Sequence, residues 1–488
     1  MYFLAMLVIG ISIRRRVHNA SDFFTAGGKM PWWLSGISHH MSGYSAAVFV
    51  GYAAIAYTEG FSLYIWWACT VAVALLIGSR VFAPRWVRLR IATGMISPLE
   101  FLTARYGPGT KLCLGCSGSL LKTFDVGAKW FASALLLQMF TNVSVYWGVL
   151  LIGGVTLIYS VAGGLWADAA TDLSQFIIQL ISGIAMCAVV LHHLGGTTAI
   201  VTIWMRLPPN HRLPFHGQYT VTFALVYLVV NLFSYNGGTW SLAQRFMASP
   251  NEASARKSAL LSAALYLVWP LVLFYPMWAA PLLLPHLADP SKSYAAMAQL
   301  YLPTGMVGLV LAGMFAHSMA MTSSDANAVS AVLVRDIAPA FIPKHFLATG
   351  QKQLLAGRVC TFVFLSVSMI IAMIADHLGG VLGLILLWYG ALVGPISVPM
   401  LLGMLPQFRR CGAVSAIAAW LSGIIAFGII HWRWPATIES QTGSFILVIG
   451  APLAVSLIVY VVSGSLWPSH DLRADPMLRC VPSSGAKC

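Results

Sequence analysis

The chain has 488 residues, 59% hydrophobic and only 9% charged, whereas a soluble domain carries roughly 25% charged residues. A soluble enzyme or binding domain is excluded, and an integral membrane protein is indicated. The net charge of +14 is spread along the chain rather than gathered on one basic face, so nucleic acid is not a partner and the charge needs a topological explanation.

Apolar runs of about 20 residues fall at 1–13, 34–58, 64–83, 112–138, 143–163, 170–192, 219–240, 258–284, 304–334, 355–377, 380–404, 412–432 and 444–465, thirteen in all. The first reaches about 20 Å at 1.5 Å per residue, short of a core roughly 30 Å thick, so it reads as a partial span or one completed by residues before this start. The second is of another kind. Within SGISHHMSGYSAAVFVGYAAIAYT (35–58), Ser42, Gly43, Ser45 and Gly51 stand where a helix could open and offer backbone carbonyls to a guest. The same small residues could instead let two helices approach closely. His39 and His40 lie at its mouth, as interfacial residues or as a proton relay.

Further along, Asp125 stands one turn from both Lys122 and Lys129, so local neutralisation is expected. The run 170–192 is interrupted by Asp172 and Gln175, and the loop 193–218, rich in His and Pro, reads as an ordered cap. NLFSYNGGTW (231–240) is a second candidate opening, or an ordinary helix ending in Gly-Gly. In 304–334, Asp325 lies about 13 Å deep and one turn beyond Met321 on the same helix face, which makes it a functional candidate. The eight cysteines are scattered, which argues against a disulfide framework, and the lone Cys113–Cys116 CxxC is expected to serve helix packing. The tail from Pro468 reads as disordered.

Loop charges test the span count. One alternate set of loops holds 22 Lys and Arg, including Arg245, Arg256, Lys352 and Arg479, while the other holds four, including Arg206 and Arg433. The richer side is expected to be cytoplasmic, with the C-terminus on it.

Several stretches together resemble one family. SDFFTAGGKMPWWLSGIS, FVGYAAIAY, ARYG at 104–107, GGLWADAATDLSQ at 163–175, AQRFMAS at 243–249, SSDANAVSAVLVRDI at 323–337 and the GP with a later LLGM at 394–404 look like the sodium:solute symporter family, which includes sodium/proline and sodium/sugar symporters. The resemblance runs from about residue 2 to 465. It implies an all-α polytopic membrane protein with a LeuT-type core of two inverted five-helix repeats, 34–192 and 219–404. Outside the core it implies a partial helix and loop at 1–33, an extracellular loop at 193–218, two peripheral helices at 405–467 and a tail at 468–488.

The resemblance also implies an ion site. Backbone carbonyls map onto Met41, Tyr44 and His317, and two hydroxyl ligands map onto Ala320 and Met321, where this chain has a methyl and a thioether that a hard cation cannot use. Asp172 matches the family aspartate beside a second ion position. Asp325, aided by Ser324, is expected to replace the lost hydroxyls, as a sodium ligand or as a protonatable group; the alternative is a fixed pair with a buried base. The solute is expected between residues 42–48, 66–67, 231–236 and 388–394, at Ser42, Ser45, Val48, Trp67, Asn231, Tyr235, Asn236 and Trp388, of which Tyr235 matches the family's aromatic gate position. The sugar branch would have Gln and Glu where Val48 and Trp67 stand, so a small organic acid, amino acid or amine with one apolar face fits better. The expected function is alternating-access import of a small organic solute, coupled to sodium or to protons. Uncoupled transport and a transporter-like solute sensor remain as alternatives. No cofactor or obligate protein partner is expected beyond the solute, the coupling ion and the bilayer of the cell membrane. An enzyme is not expected, since no nucleophile accompanies His317 and Asp325.

Overall fold

The computed structural model describes residues 1–378, 380–433 and 446–469. The expected tail, with Arg479, therefore lies mostly outside the described residues. The fold is all-α. Its main helices are α1 (Tyr2–Ser12), α2 (Trp32–Met41), α3 (Gly51–Glu59), α4 (Thr70–Val81), α5 (Ala83–Thr93), α6 (Glu100–Tyr106), α7 (Pro108–Thr141) and α8 (Val145–His193). The second half adds α9 (Val221–Phe233), α10 (Ser241–Met247), α11 (Glu252–Leu283), α12 (Thr304–Val332), α13 (Gly350–Met373), α14 (Gly380–Leu402), α15 (Ala413–Arg433) and α16 (Ala451–Leu466).

Among the described residues, eight helical segments are long and apolar enough to cross a membrane, and two shorter apolar helices, Ala46–Glu59 and Leu387–Leu402, accompany them. The difference from thirteen runs has local causes. The 34–58 run is an interrupted helix, α1 is short, the 380–404 run contributes only the shorter Leu387–Leu402, and the charges Lys122, Asp125 and Lys129 interrupt the apolar composition of α7. The runs 143–163 and 170–192 fall within α8, which breaks at Gly164 (φ 52°, ψ −143°). Only glycine adopts that conformation readily, and a Cβ there would stand 2.4 Å from the Phe23 carbonyl oxygen.

Helix α12 packs along α8; α13 and α14 pack on α7; α2, α4 and α8 all meet α11; and α15 pairs with α16 outside this core. Exposed residues recur one turn apart, as with Ile177, Ile181 and Ile184 on α8 and Ile425 and Ile429 on α15, which is the spacing of a lipid-facing stripe. The 193–218 loop is ordered, as expected. Trp204 packs on Phe61 and Trp278 at 5.5 and 5.4 Å, while the Phe61 amide donates to the His211 carbonyl at 2.8 Å, so the loop caps the end of α3. Cys113 and Cys116 are both exposed on α7, which corrects their expected role in helix packing.

Candidate functional site

The first opening is real. Helix α2 ends at Met41, residues 42–45 are unwound, Ala46–Phe49 forms a 3-10 turn, and α3 begins at Gly51. The freed backbone groups find partners across the bundle. Ala46 N–H donates to Ser318 Oγ at 3.0 Å, and the Gly43 carbonyl accepts from Tyr235 Oη at 2.7 Å. The second opening follows α9 as a wide turn over Ser234–Gly238, where Gly237 has φ 113°, and the chain re-enters helix at α10. Its carbonyls are held by Trp86 Nε1 on Asn236 at 3.0 Å and by Ser397 Oγ on Gly238 at 3.1 Å.

The two openings meet. Besides the Tyr235–Gly43 bond, the His39 ring lies 3.1 Å from the Tyr235 carbonyl and 2.9 Å from Ser262 Oγ. His39 and His40 are fully buried, which corrects their interfacial placement: the opening folds them inward, and His39 ties the two broken helices together.

The solute candidates are all buried, but they divide. Trp67 stands edge-on to Tyr44, Tyr52 and Tyr266 at 5.6, 5.1 and 5.7 Å, and Tyr235 meets Tyr266 at 5.4 Å. These rings make one aromatic wall beside Ser42, Ser45 and Val48. Trp388 lies elsewhere, over the ammonium groups of Lys122 and Lys129 at 4.8 and 5.9 Å. Asn231 donates to Thr70 Oγ1 at 2.9 Å, and Asn236 donates to the Ala74 carbonyl at 3.1 Å. Their amides thus fasten the second broken helix to α4. Replacing Tyr235 with Phe removes one hydrogen bond between the openings, worth about 1 kcal/mol. It should raise the maleimide labelling rate of a cysteine placed at Ser45 while leaving the melting temperature nearly unchanged.

The side chains of Ala320 and Met321 bring no oxygen to the family ion position. Met41 and Ala320 pack with Phe176 and Ala316 in one apolar cluster, and Met321 brings only its thioether. The Tyr44 ring lies 4.3 Å from that of His317, whose two nitrogens have no partner. Asp325 does not supply the missing oxygens. Its Oδ1 takes Lys122 Nζ at 2.8 Å and its Oδ2 takes Lys129 Nζ at 2.5 Å, while both lysines also reach Asp125 at 2.9 and 2.8 Å. The local neutralisation of Asp125 is present, but Asp325 completes it. This corrects the expectation that Asp325 stands in for the hydroxyls: both of its oxygens are taken by lysines of α7.

A second charged group was not anticipated. Arg245, counted above among loop charges, is fully buried. Its Nη2 lies 3.5 Å from Asp168 Oδ2, 3.6 Å from Asp172 Oδ2 and 3.3 Å from Ser42 Oγ, and it also bonds Ser324 Oγ. Asp172 further accepts from Ser38 Oγ at 2.5 Å. The only sequence signal was Asp168 and Asp172 one helical turn apart in an apolar run.

Two broken helices, backed against each other inside a bundle of long apolar helices and held by side chains from four neighbours, define a secondary transporter of LeuT type. Comparison with known proteins agrees. The model of the sodium:solute symporter family matches residues 23–423. The sodium/sialic acid symporter NanT of Aliivibrio fischeri is 25% identical over 97% of this chain and 93% of its own. The sodium/glucose cotransporter of Vibrio parahaemolyticus is 24% identical over 82% of this chain and 78% of its own. A substrate-bound, outward-open structure of a Na⁺-coupled sialic acid symporter superposes with a TM-score of 0.81 at 20% identity, covering 96% of this chain and 97% of that one. The chain belongs to the sodium:solute symporter family, and it is a multi-pass membrane transporter.

Proposed function

We propose that this protein imports a small organic solute by alternating access, with sodium as the coupling ion. Its C-terminus faces the cytoplasm of a cell membrane. The supporting observation is the closed meeting of the two openings, with Tyr235 Oη on the Gly43 carbonyl at 2.7 Å beside a continuous aromatic wall. The solute site is bounded by Ser42–Val48, Trp67 and Tyr235, and Trp388, over the two lysines, lies outside it. Sodium is supported by the family match and by relatives whose names give sodium as the coupled ion.

Apolar Val48 and aromatic Trp67 favour a small acid, amino acid or amine over a sugar, whose hydroxyls would go unpaired against such walls. Reconstitution into proteoliposomes tests the reading. An inward sodium gradient should drive accumulation of one member of a labelled panel of acids, amino acids and amines, and a potassium gradient should not. Binding without accumulation would make the protein a solute sensor.

A further inference from the structure

The charged side chains of the core pair with one another in the two places described above, and a third buried polar group stands apart from both. His40 on α2, Gln179 on α8 and His317 on α12 are at most 1% exposed. They meet around Tyr44 of the first opening. Gln179 Nε2 donates to the Tyr44 hydroxyl at 2.9 Å, His40 Nε2 lies 3.2 Å from the same oxygen, and the His317 ring lies 4.3 Å from the Tyr44 ring. Four polar atoms of this set have no partner: Nδ1 of His40, Oε1 of Gln179 and both ring nitrogens of His317. Buried polar groups are nearly always hydrogen-bonded, so four of them gathered at the opening of a broken helix point to a guest.

Counting protons gives the chemistry of the set. Tyr44 accepts from Gln179 and has one proton to give, which goes to His40 Nε2. His40 therefore carries its own proton on Nδ1 and presents it as a donor, while Gln179 Oε1 is a free acceptor. Turning the Gln179 amide over reverses the chain of bonds and exchanges its two ends, which are one donor and one acceptor as before. His317 adds the one donor and one acceptor of a neutral imidazole, because no carboxylate acts on either ring among the described residues. The set offers two donors, two acceptors and no charge.

We infer that these side chains form the subsite for the polar end of the solute, and that the solute carries there a neutral amide-type group: a carboxamide, a lactam or a ureide. Such a group presents N–H and C=O side by side and satisfies both kinds of atom. A carboxylate only accepts and an ammonium only donates, so either would leave half of the set unpaired and would bring an uncompensated charge into fully buried surroundings. The apolar face of the solute then lies along the wall that Tyr44 shares with Trp67 and Tyr266, at 5.6 and 5.9 Å. His317 is thereby a specificity-determining residue. The inference narrows the solute class proposed above to members with an amide end, and it rests on that reading of the gap.

The test uses the full-length protein in proteoliposomes under an inward sodium gradient, with labelled solutes in matched pairs: glutamine and glutamate, asparagine and aspartate, nicotinamide and nicotinate, beside the amines of the panel. At least one amide should accumulate, with an initial rate at low concentration about tenfold or more above that of its acid. His317→Leu should raise KM for that amide by about tenfold or more, through the loss of two hydrogen bonds. Without solute it should melt no lower than wild type, because it removes two unpaired polar atoms from the core. His317→Gln, which has a donor and an acceptor, should bring KM back to within about threefold of wild type. If the Leu variant is not monodisperse, Gln179→Met, which removes the free amide end, is read in its place.

Accumulation of an acid or an amine with every amide excluded overturns the inference and leaves sodium-coupled import standing. So does a Leu variant with the wild-type KM for the amide, or a Gln variant no better than the Leu variant. Accumulation of no member of the panel overturns the symport reading itself.

Discussion

Alanine at Asp325 should leave little folded protein in the membrane. In the native protein each carboxylate oxygen holds one ammonium, Lys122 at 2.8 Å and Lys129 at 2.5 Å, in a group less than 5% exposed. Removing the carboxylate leaves two ammonium groups to share Asp125. Breaking a buried pair from one side costs about 3–5 kcal/mol, a large part of a total that is typically about 5–15 kcal/mol. Combining Asp325→Leu with Lys122→Met leaves one lysine opposite one aspartate and should restore much of the loss. Size-exclusion profiles of the fluorescently tagged protein, and its melting temperature, measure both. A double variant no better than the single would show that charge balance is not what the four residues supply.

Alanine at Gly78 should stop transport without unfolding the protein. A Cβ there would stand 1.5 Å from Asn236 Oδ1 and 2.4 Å from its Cγ, so the amide must leave α4. With it go the hydrogen bonds from Nδ2 to the Ala74 and Leu232 carbonyls, at 3.1 and 2.9 Å. Two such bonds are worth about 1–3 kcal/mol together, and they fix the wide turn that carries Tyr235. Initial uptake rates should fall by about tenfold or more, since each 1.4 kcal/mol is a factor of about ten. Adding Asn236→Ala vacates the space and should recover part of the melting temperature but little transport. Full transport by the double variant would show that the Asn236 anchor is dispensable.

The membrane class, the approximate spans and both openings were legible in the sequence. Hydrocarbon tolerates so few unpaired polar groups that Ser42, Gly43, Asn236 and Gly237 inside apolar runs marked both stretches as candidate openings, with close helix packing and a Gly-Gly helix end as the alternatives. The pairing of Asp125 with Lys122 and Lys129 was legible for a related reason: residues three and four apart on a helix are neighbours whatever the rest of the fold does.

Other features were settled only when distant helices came together. Asp325 and Lys122 are separated by 203 positions, and nothing in the spacing around either residue says which neighbouring helix it will face. Arg245 read as a loop charge because it follows the Gly-Gly turn, and only the re-entry of the chain at Ser241 places it between Asp168 and Asp172. Asn231 and Asn236 read as solute ligands because they sit at an opening, but the rotation of α9 against α4 turns their amides onto Thr70 and Ala74. Apolar periodicity tells which residues avoid water, but in a membrane it cannot distinguish a face toward lipid from one toward another helix. The sequence therefore determined the spans and their interruptions, and the tertiary structure decided which buried charges share a partner.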